Sequence, residues 1–262
     1  MKIRELFEEE QKYMKVSDIE KMNGKKILLK GQVRDIWDGD FALYKFGNKI
    51  TSWEGIPKRI NGYLNANSNS GLTSWEFAPE YAKKIYLDVS NISTLEGIPK
   101  SEDYSLLNGK MKNLNGIQNA SFLTFGKFKN LSSFAGFPKE AVRYTTFWEC
   151  PSLNFPLEPI GITIKNDLSF SECAGITNFK NVHKTISNCN RISVLDCENV
   201  KSNILGFLRI KNLNEIINAR NHPNFDEAIS IINKYLPNPT PDKIIDCQNE
   251  LIEAGLEEYA EL

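Results

Sequence analysis

The chain has 262 residues, of which 41% are hydrophobic and 25% are charged, and its formal net charge is −1. This composition is ordinary for a soluble globular protein, and the near-neutral charge excludes a general electrostatic attraction to nucleic acid or to anionic membranes. The charged N-terminal segment does not resemble a secretory signal, and no apolar run approaches the ~18 residues of a membrane-spanning helix.

Residues 1–48 are predicted to form an α/β cap of short helices and a β-hairpin. Residues 3–14 and 17–24 indicate two short helices, the second with a serine N-cap and a glycine end. Residues 25–37 and 41–46 indicate two strands, and Asp38-Gly39-Asp40 between them favours a hairpin. Because a solenoid needs a cap at each open end, this segment fits an N-terminal cap, and a separate binding module is the alternative.

Residues 49–221 carry a phrase that returns about every 20 residues. Its clearest copies are Ile50–Lys58, which reads ITSWEGIPK, and Ile92–Lys100, which reads ISTLEGIPK. Further copies begin at Leu72, Met111, Leu131, Leu153, Ile176, Ile192 and Leu213. A repeat of this length predicts a solenoid, because one short unit cannot bury its own apolar face. Trp53 and Trp75 hold the apolar place of the phrase and are predicted to lie in the core.

A second pattern precedes the phrase and predicts the strands. It places two buried residues at i and i+2, a corner residue at i+5 and a further apolar residue at i+8. The units that fit begin at Leu64, Leu123, Thr145, Leu168 and Leu205. This is the leucine-rich-repeat pattern, and the proline of the phrase predicts an extended or irregular return side. The expected fold is therefore an α/β solenoid, a leucine-rich-repeat-like stack of short parallel strands.

Residues 222–262 are predicted to form a helical C-terminal cap. One helix is expected over residues 225–236 and a second from Pro241 to about residue 262, with Thr240 as its N-cap. Residues 237–262 contain seven acidic residues and one basic residue, a net charge of −6. The acidic residues fall opposite an apolar stripe, which is typical of a solvated helix face.

The cysteines and histidines do not indicate a metal or catalytic site. The five cysteines have no paired spacing, so we expect no disulfide framework, and Cys150, Cys173 and Cys189 are assigned to the corner of the repeat. There is no C-x-x-C pair, and His183 and His222 are the two histidines. No phosphate-binding loop or nucleophile motif is present either. We therefore expect no metal, no cofactor and no enzymatic activity.

Side chains that flank the buried strand positions are expected to face outward and to bind a partner. The predicted partner-binding residues are Tyr63, Asn65, Phe122, Thr124, Tyr144, Thr146 and Trp148. In the last repeat, which begins at Leu205, the positions predicted to face outward are Ile204, Gly206 and Leu208. Exposed aromatic residues on a rigid sheet are the residue types that carry interface energy. The alternative is that loops or the cap cover them.

The repeated phrase and the helical tail resemble the leucine-rich-repeat proteins encoded by tailed bacteriophages. The resemblance covers residues 49–262 and rests on the LTSLEGxPK-like phrase and on the tail that contains Ile231–Leu236 and Cys247–Leu256. It implies a phage protein that acts in the cytoplasm of a bacterial host. The expected function is non-catalytic binding of a host protein during infection, for example to inhibit a bacterial defence system.

Three other functions stay open on the sequence. A structural or virion-associated phage protein is the main alternative. Nucleic-acid binding is disfavoured by the net charge. An enzyme would need an active site that the known motifs do not reveal. The identity of the partner and the oligomeric state are not encoded in any pattern of the sequence.

Overall fold

The computed structural model describes residues 14–15, 28–29, 32–33, 35–44, 50–68, 71–138, 142–155 and 160–261. The chain divides into two compact units, Met1–Leu107 and Asn108–Leu262. Within each unit, short parallel strands from successive coils pair with one another and irregular segments return the chain. The predicted solenoid fold is therefore confirmed. The helices predicted at 3–14 and 17–24 lie outside the described residues, apart from residue 14.

Nine strands lie in the described part of the first unit. They are β1 (Met14–Lys15), β2 (Leu28–Leu29), β3 (Gln32–Val33), β4 (Ile36–Trp37), β5 (Phe41–Ala42), β6 (Ile50–Ser52), β7 (Arg59–Ala66), β8 (Tyr81–Asp88) and β9 (Asp103–Leu107). Strands β7, β8 and β9 form a parallel ladder in which Leu64, Ile85 and Tyr104 lie side by side in the core. Strand β1 pairs in parallel with β6 on the return side.

The hairpin predicted around Asp38-Gly39-Asp40 is wrong. Strands β4 and β5 on either side of it both pair in parallel with β7, Ile36 beside Arg59 and Phe41 beside Leu64. The short interruption at Asp38–Asp40 is held by β7, because the Tyr63 N–H donates to Asp40 Oδ1 at 2.9 Å. The parallel ladder thus includes residues of the predicted cap segment. Strands β2 and β3 pair in antiparallel fashion.

The second unit continues the pattern with longer coils. Its strands are β10 (Phe122–Gly126), β11 (Val142–Trp148), β12 (Ile162–Ser171), β13 (Ile186–Asn188), β14 (Arg191–Leu195) and β15 (Glu215–Ala219). Phe122, Tyr144, Asp167, Arg191 and Glu215 stand in one register across the sheet. One residue further along, Leu123, Thr145, Leu168, Ile192 and Ile216 form a buried row. Within this unit the spacing between paired strand residues grows from 22 to 24 residues.

The repeated phrase forms a tight turn whose sequence explains its geometry. In the first copy the Ile56 N–H donates to the Trp53 carbonyl at 3.0 Å, and Gly55 has φ of +89°. This is the position of a type II turn that favours glycine. The Ser52 hydroxyl accepts from the Glu54 N–H at 3.1 Å and so caps the start of the turn. The same turn recurs at 75–78, 95–98, 114–117 and 134–137.

The two tryptophans of the phrase lie in the core, as predicted. Trp53 and Trp75 are stacked with ring centroids 6.1 Å apart. Each indole N–H donates to a backbone carbonyl of the following copy, Trp53 to Ser74 at 2.8 Å and Trp75 to Thr94 at 2.7 Å. The phrase thereby joins neighbouring coils as well as turning the chain.

The register predicted for the last repeats is wrong. Residues 205–209 form a 3₁₀ helix instead of a strand, and Ile204, Gly206 and Leu208 are buried instead of facing outward. Gly206 lies so close to the Phe179 carbonyl that an added Cβ would sit 2.3 Å from the oxygen. The assumed phrase start at Ile192 lies inside β14. The consecutive copies predicted at Ile176 and Ile192 are 16 residues apart, whereas the paired strand residues at this end are 24 residues apart.

The C-terminal cap consists of two helices, as predicted, with corrected ends. Helix α1 (Val182–Thr185) is a single turn within the coils, and α2 (Pro223–Lys234) and α3 (Pro241–Glu253) form the cap. The Thr240 hydroxyl accepts from the Lys243 N–H at 3.4 Å, as an N-cap does. Helix α3 stops well before residue 262, because Gly255 takes a left-handed φ of +75°.

The cap also covers the edge of the last strand. On α2, the Asn233 amide oxygen accepts from the Ile216 N–H at 2.9 Å, and its NH₂ donates to the Ile216 carbonyl at 2.8 Å. Asn218 donates to Asp226 of the same helix at 2.7 Å. One asparagine side chain therefore imitates the backbone of a further strand, which protects the edge of β15 from pairing with another chain.

Candidate binding surface

The residues of β10 and β11 that were predicted to bind a partner do face away from the core. Strands β10 and β11 alternate over most of their length: Leu123, Phe125, Thr145 and Phe147 are buried, and Thr124 and Thr146 between them are half-buried. We call the outward set the aromatic face. It consists of Phe122, Thr124, Tyr144, Thr146 and Trp148. The parallel register sets Phe122 beside Tyr144 and Thr124 beside Thr146.

The most exposed part of the aromatic face is a stacked ring pair. Phe122 and Tyr144 have ring centroids 5.0 Å apart and nearly parallel planes, at 8°. They remain 42% and 37% exposed. Such a pair presents a large apolar area at little further cost in side-chain entropy, because each ring already restricts the other.

Trp148 lies flat over Gly126 at the other end of the aromatic face. A Cβ on Gly126 would sit 2.2 Å from Trp148 Cε2, so the indole occupies the space that any other side chain would need. The Lys127 ammonium lies 5.2 Å from the Trp148 ring centroid and 3.6 Å from the Glu149 carboxylate. These contacts hold the half-buried indole against the sheet.

A charged pair adjoins the ring pair on the same row of the sheet. Arg191 donates through two nitrogens to Asp167, with Nη2 2.5 Å from Oδ2. The hydrogen bonds that Asp167 accepts raise the pKa of the Arg191 guanidinium. The negative charge of the Asp167 carboxylate raises it further. Arg191 escaped the sequence analysis because the assumed register placed Ile192 in the phrase instead of in a strand.

The remaining predicted residues, Tyr63 and Asn65, belong to the first unit. Tyr63 stacks on Tyr86 with ring centroids 6.3 Å apart. The pKa of Tyr63 is raised to about 12. Burial is the largest cause, and the nearby Tyr86, Asp103 and Asp40 contribute less. The Asn65 side chain accepts from the Asn67 N–H at 3.1 Å and therefore caps a turn. Tyr86 was missed because its repeat unit fits the pattern only partly.

A column of left-handed residues follows the strands of the second unit. Lys127, Glu149, Glu172, Asp196 and Arg220 have φ between +49° and +60°. Two depressions of about 480 and 490 Å³ lie along this column, and Glu172 lines both. The lining mixes both signs of charge, with Arg220 3.9 Å from Asp196. Within the described residues, no group of three or more potential ligands could hold a metal ion.

The five cysteines are buried, and the assignment of cysteines to the repeat corner changes at one position. Cys150, Cys173 and Cys197 share the corner after the left-handed residue, and each thiol lies near the carbonyl two residues before it. Cys197 thus replaces Cys189, which precedes β14 and contacts the Arg191 carbonyl. Burial raises the pKa of Cys189, Cys197 and Cys247 to about 12. These thiols are protonated at neutral pH and are poor nucleophiles.

Comparison with known proteins returned no match, whether to protein-family models, to curated proteins or to solved structures.

Proposed function

We propose that the chain is a non-catalytic binding module that engages a protein partner through the aromatic face. The observation that carries this proposal is the exposed, stacked Phe122–Tyr144 pair on a regular parallel sheet. Aromatic side chains are enriched among the residues that dominate interface energies, and a contiguous exposed patch of them is uncommon on a surface that binds nothing.

The aromatic face has the dimensions and chemistry of an interface centre. Tyr144 and Trp148 lie four residues apart on one strand, which places them roughly 13 Å apart. The hydroxyls of Thr124 and Thr146 lie between the two aromatic ends and provide hydrogen-bonding groups. The neighbouring Asp167–Arg191 pair fits the polar rim of such a surface.

The proposed partner is a protein of a bacterial host, and the proposed setting is the host cytoplasm during phage infection, with inhibition of a defence system as one form. The resemblance of the repeated phrase and helical tail to phage leucine-rich-repeat proteins supports this setting. Among the described residues, no helix is long and apolar enough to cross a membrane.

The test is an affinity pull-down from bacterial lysate with the full-length chain as bait. One variant carries Phe122→Ser and Tyr144→Ser, which remove the exposed ring pair. The matched control carries Ile245→Ser and Ile252→Ser on α3, because these side chains are similarly exposed, at 53% and 45%. We expect a protein that the wild type and the control retain and that the ring-pair variant loses.

The outcomes separate the candidate functions. Loss with both variants would refute the aromatic face as the specific site. Retention by the ring-pair variant would move the site to another surface. If the wild type retains nothing and the chain is found at fixed copy number in purified phage particles, the virion-associated alternative replaces the proposal.

A further inference from the structure

Three turns of the same type, one from each copy of the repeated phrase, stack in the first unit. They span 53–56, 75–78 and 95–98, with closing hydrogen bonds of 2.9–3.1 Å. The stacked Trp53 and Trp75 rings and the Trp75–Thr94 hydrogen bond align neighbouring turns. The third residue of each turn therefore occupies the same place on successive coils. This place holds Gly55, Phe77 and Gly97.

Phe77 departs from the chemistry that this turn requires. Its φ is +62°, in the left-handed region that Gly55 and Gly97 also adopt. A side chain with a Cβ is disfavoured there, and glycine is the residue that fits without strain. Phe77 is also 59% exposed. Neither turn geometry nor core packing thus accounts for a phenylalanine at this position.

The residues on the neighbouring coils leave the Phe77 ring exposed. Gly55 and Gly97 on the flanking coils have no side chains that could cover its ring. The residue before each is a glutamate, so that Glu54, Glu76 and Glu96 form a row on the three coils. Glu76 and Glu96 are exposed. The basic residues of the same phrase, Lys58 and Lys100, follow four positions after the outer glutamates.

We propose that Phe77 is the anchor of a second interaction surface, which inserts into an apolar pocket of a partner protein bordered by lysine or arginine side chains. The exposed ring supplies the apolar contact, and the exposed Glu76 and Glu96 supply complementary charge near it. A strained, exposed aromatic residue is typical of a functional position that costs stability. This surface belongs to the first unit and is independent of the aromatic face.

The test combines photo-crosslinking with a titration. Full-length protein carrying p-benzoylphenylalanine in place of Phe77 is irradiated in bacterial lysate, and the same probe in place of Phe122 serves as the comparison. The protein joined at position 77 is identified by mass spectrometry and purified, and the cross-linked residues are mapped. Its affinity is then measured for wild type, Phe77→Gly, and the double variant Glu76→Gln with Glu96→Gln.

We expect the cross-links from position 77 to map to apolar residues near lysine or arginine. Phe77→Gly should weaken binding at least about thirtyfold, the size of an interface hot spot, with a melting temperature equal to or above that of the wild type. The glutamine variant should bind several-fold more weakly at low salt, and this difference should vanish at high salt.

Three results would overturn the inference. They are the absence of an adduct specific to position 77, wild-type affinity of Phe77→Gly, and a clearly lower melting temperature of Phe77→Gly. The last result would show that the ring supports the fold. The ring-pair variant of the aromatic face is titrated in parallel, so that failure of one surface is distinguished from failure of the other.

Discussion

Replacing Thr145 with valine should stabilise the protein. Thr145 is 1% exposed in the buried row of β11, with Leu123 and Leu168 beside it in register. Its hydroxyl oxygen is buried and has no hydrogen-bond partner among the described residues. An unsatisfied buried polar group costs about 1–3 kcal/mol. Valine keeps the branched shape, so we expect the free energy of unfolding to rise by about 1–2 kcal/mol.

The measurement is urea unfolding together with a thermal scan. A stabilisation of 1 kcal/mol corresponds to a rise of about 2–4 °C in melting temperature for a chain of this size. The control is Thr146→Val, because the neighbouring Thr146 is half-buried on the outward side of the same strand. We expect that control to lie within about 0.5 kcal/mol of the wild type. A Thr145→Val protein less stable than the wild type would refute the reasoning, because the hydroxyl would then have a partner.

Three further changes have defined outcomes. Asn233→Ala removes both hydrogen bonds to Ile216, so it should lower the free energy of unfolding by about 2 kcal/mol and favour self-association through β15, which light scattering would detect. Gly126→Ala should displace the Trp148 ring, and increased acrylamide quenching of tryptophan fluorescence would show it; unchanged quenching would contradict the packing. Burial raises the pKa of Cys197 to about 12, whereas the unfolded thiol titrates near 9.0. Between these values the unfolded state binds fewer protons, so stability should fall as pH rises above about 9, and less steeply in Cys197→Ala, by calorimetry across pH 8–10.5.

The solenoid and its turns could be read from the sequence because their causes are local. A serine or threonine hydroxyl, an apolar residue and a glycine follow one another in the phrase, and each acts within four residues of chain. The alternation of β10 and β11 is equally local, which is why the outward positions of Phe122, Tyr144 and Trp148 were predicted correctly. Binding by these residues stays a prediction.

Other features depend on contacts between coils that no local pattern encodes. The strands at the end of the second unit are 24 residues apart, and the copy predicted at Ile192 and the strand predicted at Leu205 are misplaced. Asp38–Asp40 looks like a hairpin turn in isolation, but β7 offers the flanking residues a parallel partner.

The sequence by itself therefore determined the fold class, the turn chemistry and the faces of the best strands. Tertiary structure alone decided that Trp148 covers Gly126, that Asn233 closes the edge of β15, and that Phe77 stands between two glycines. The physical reason is that short-range hydrogen bonds and side-chain periodicity act along the chain. Packing between coils depends instead on the register of the strands. That register changes with each residue inserted in any preceding return segment.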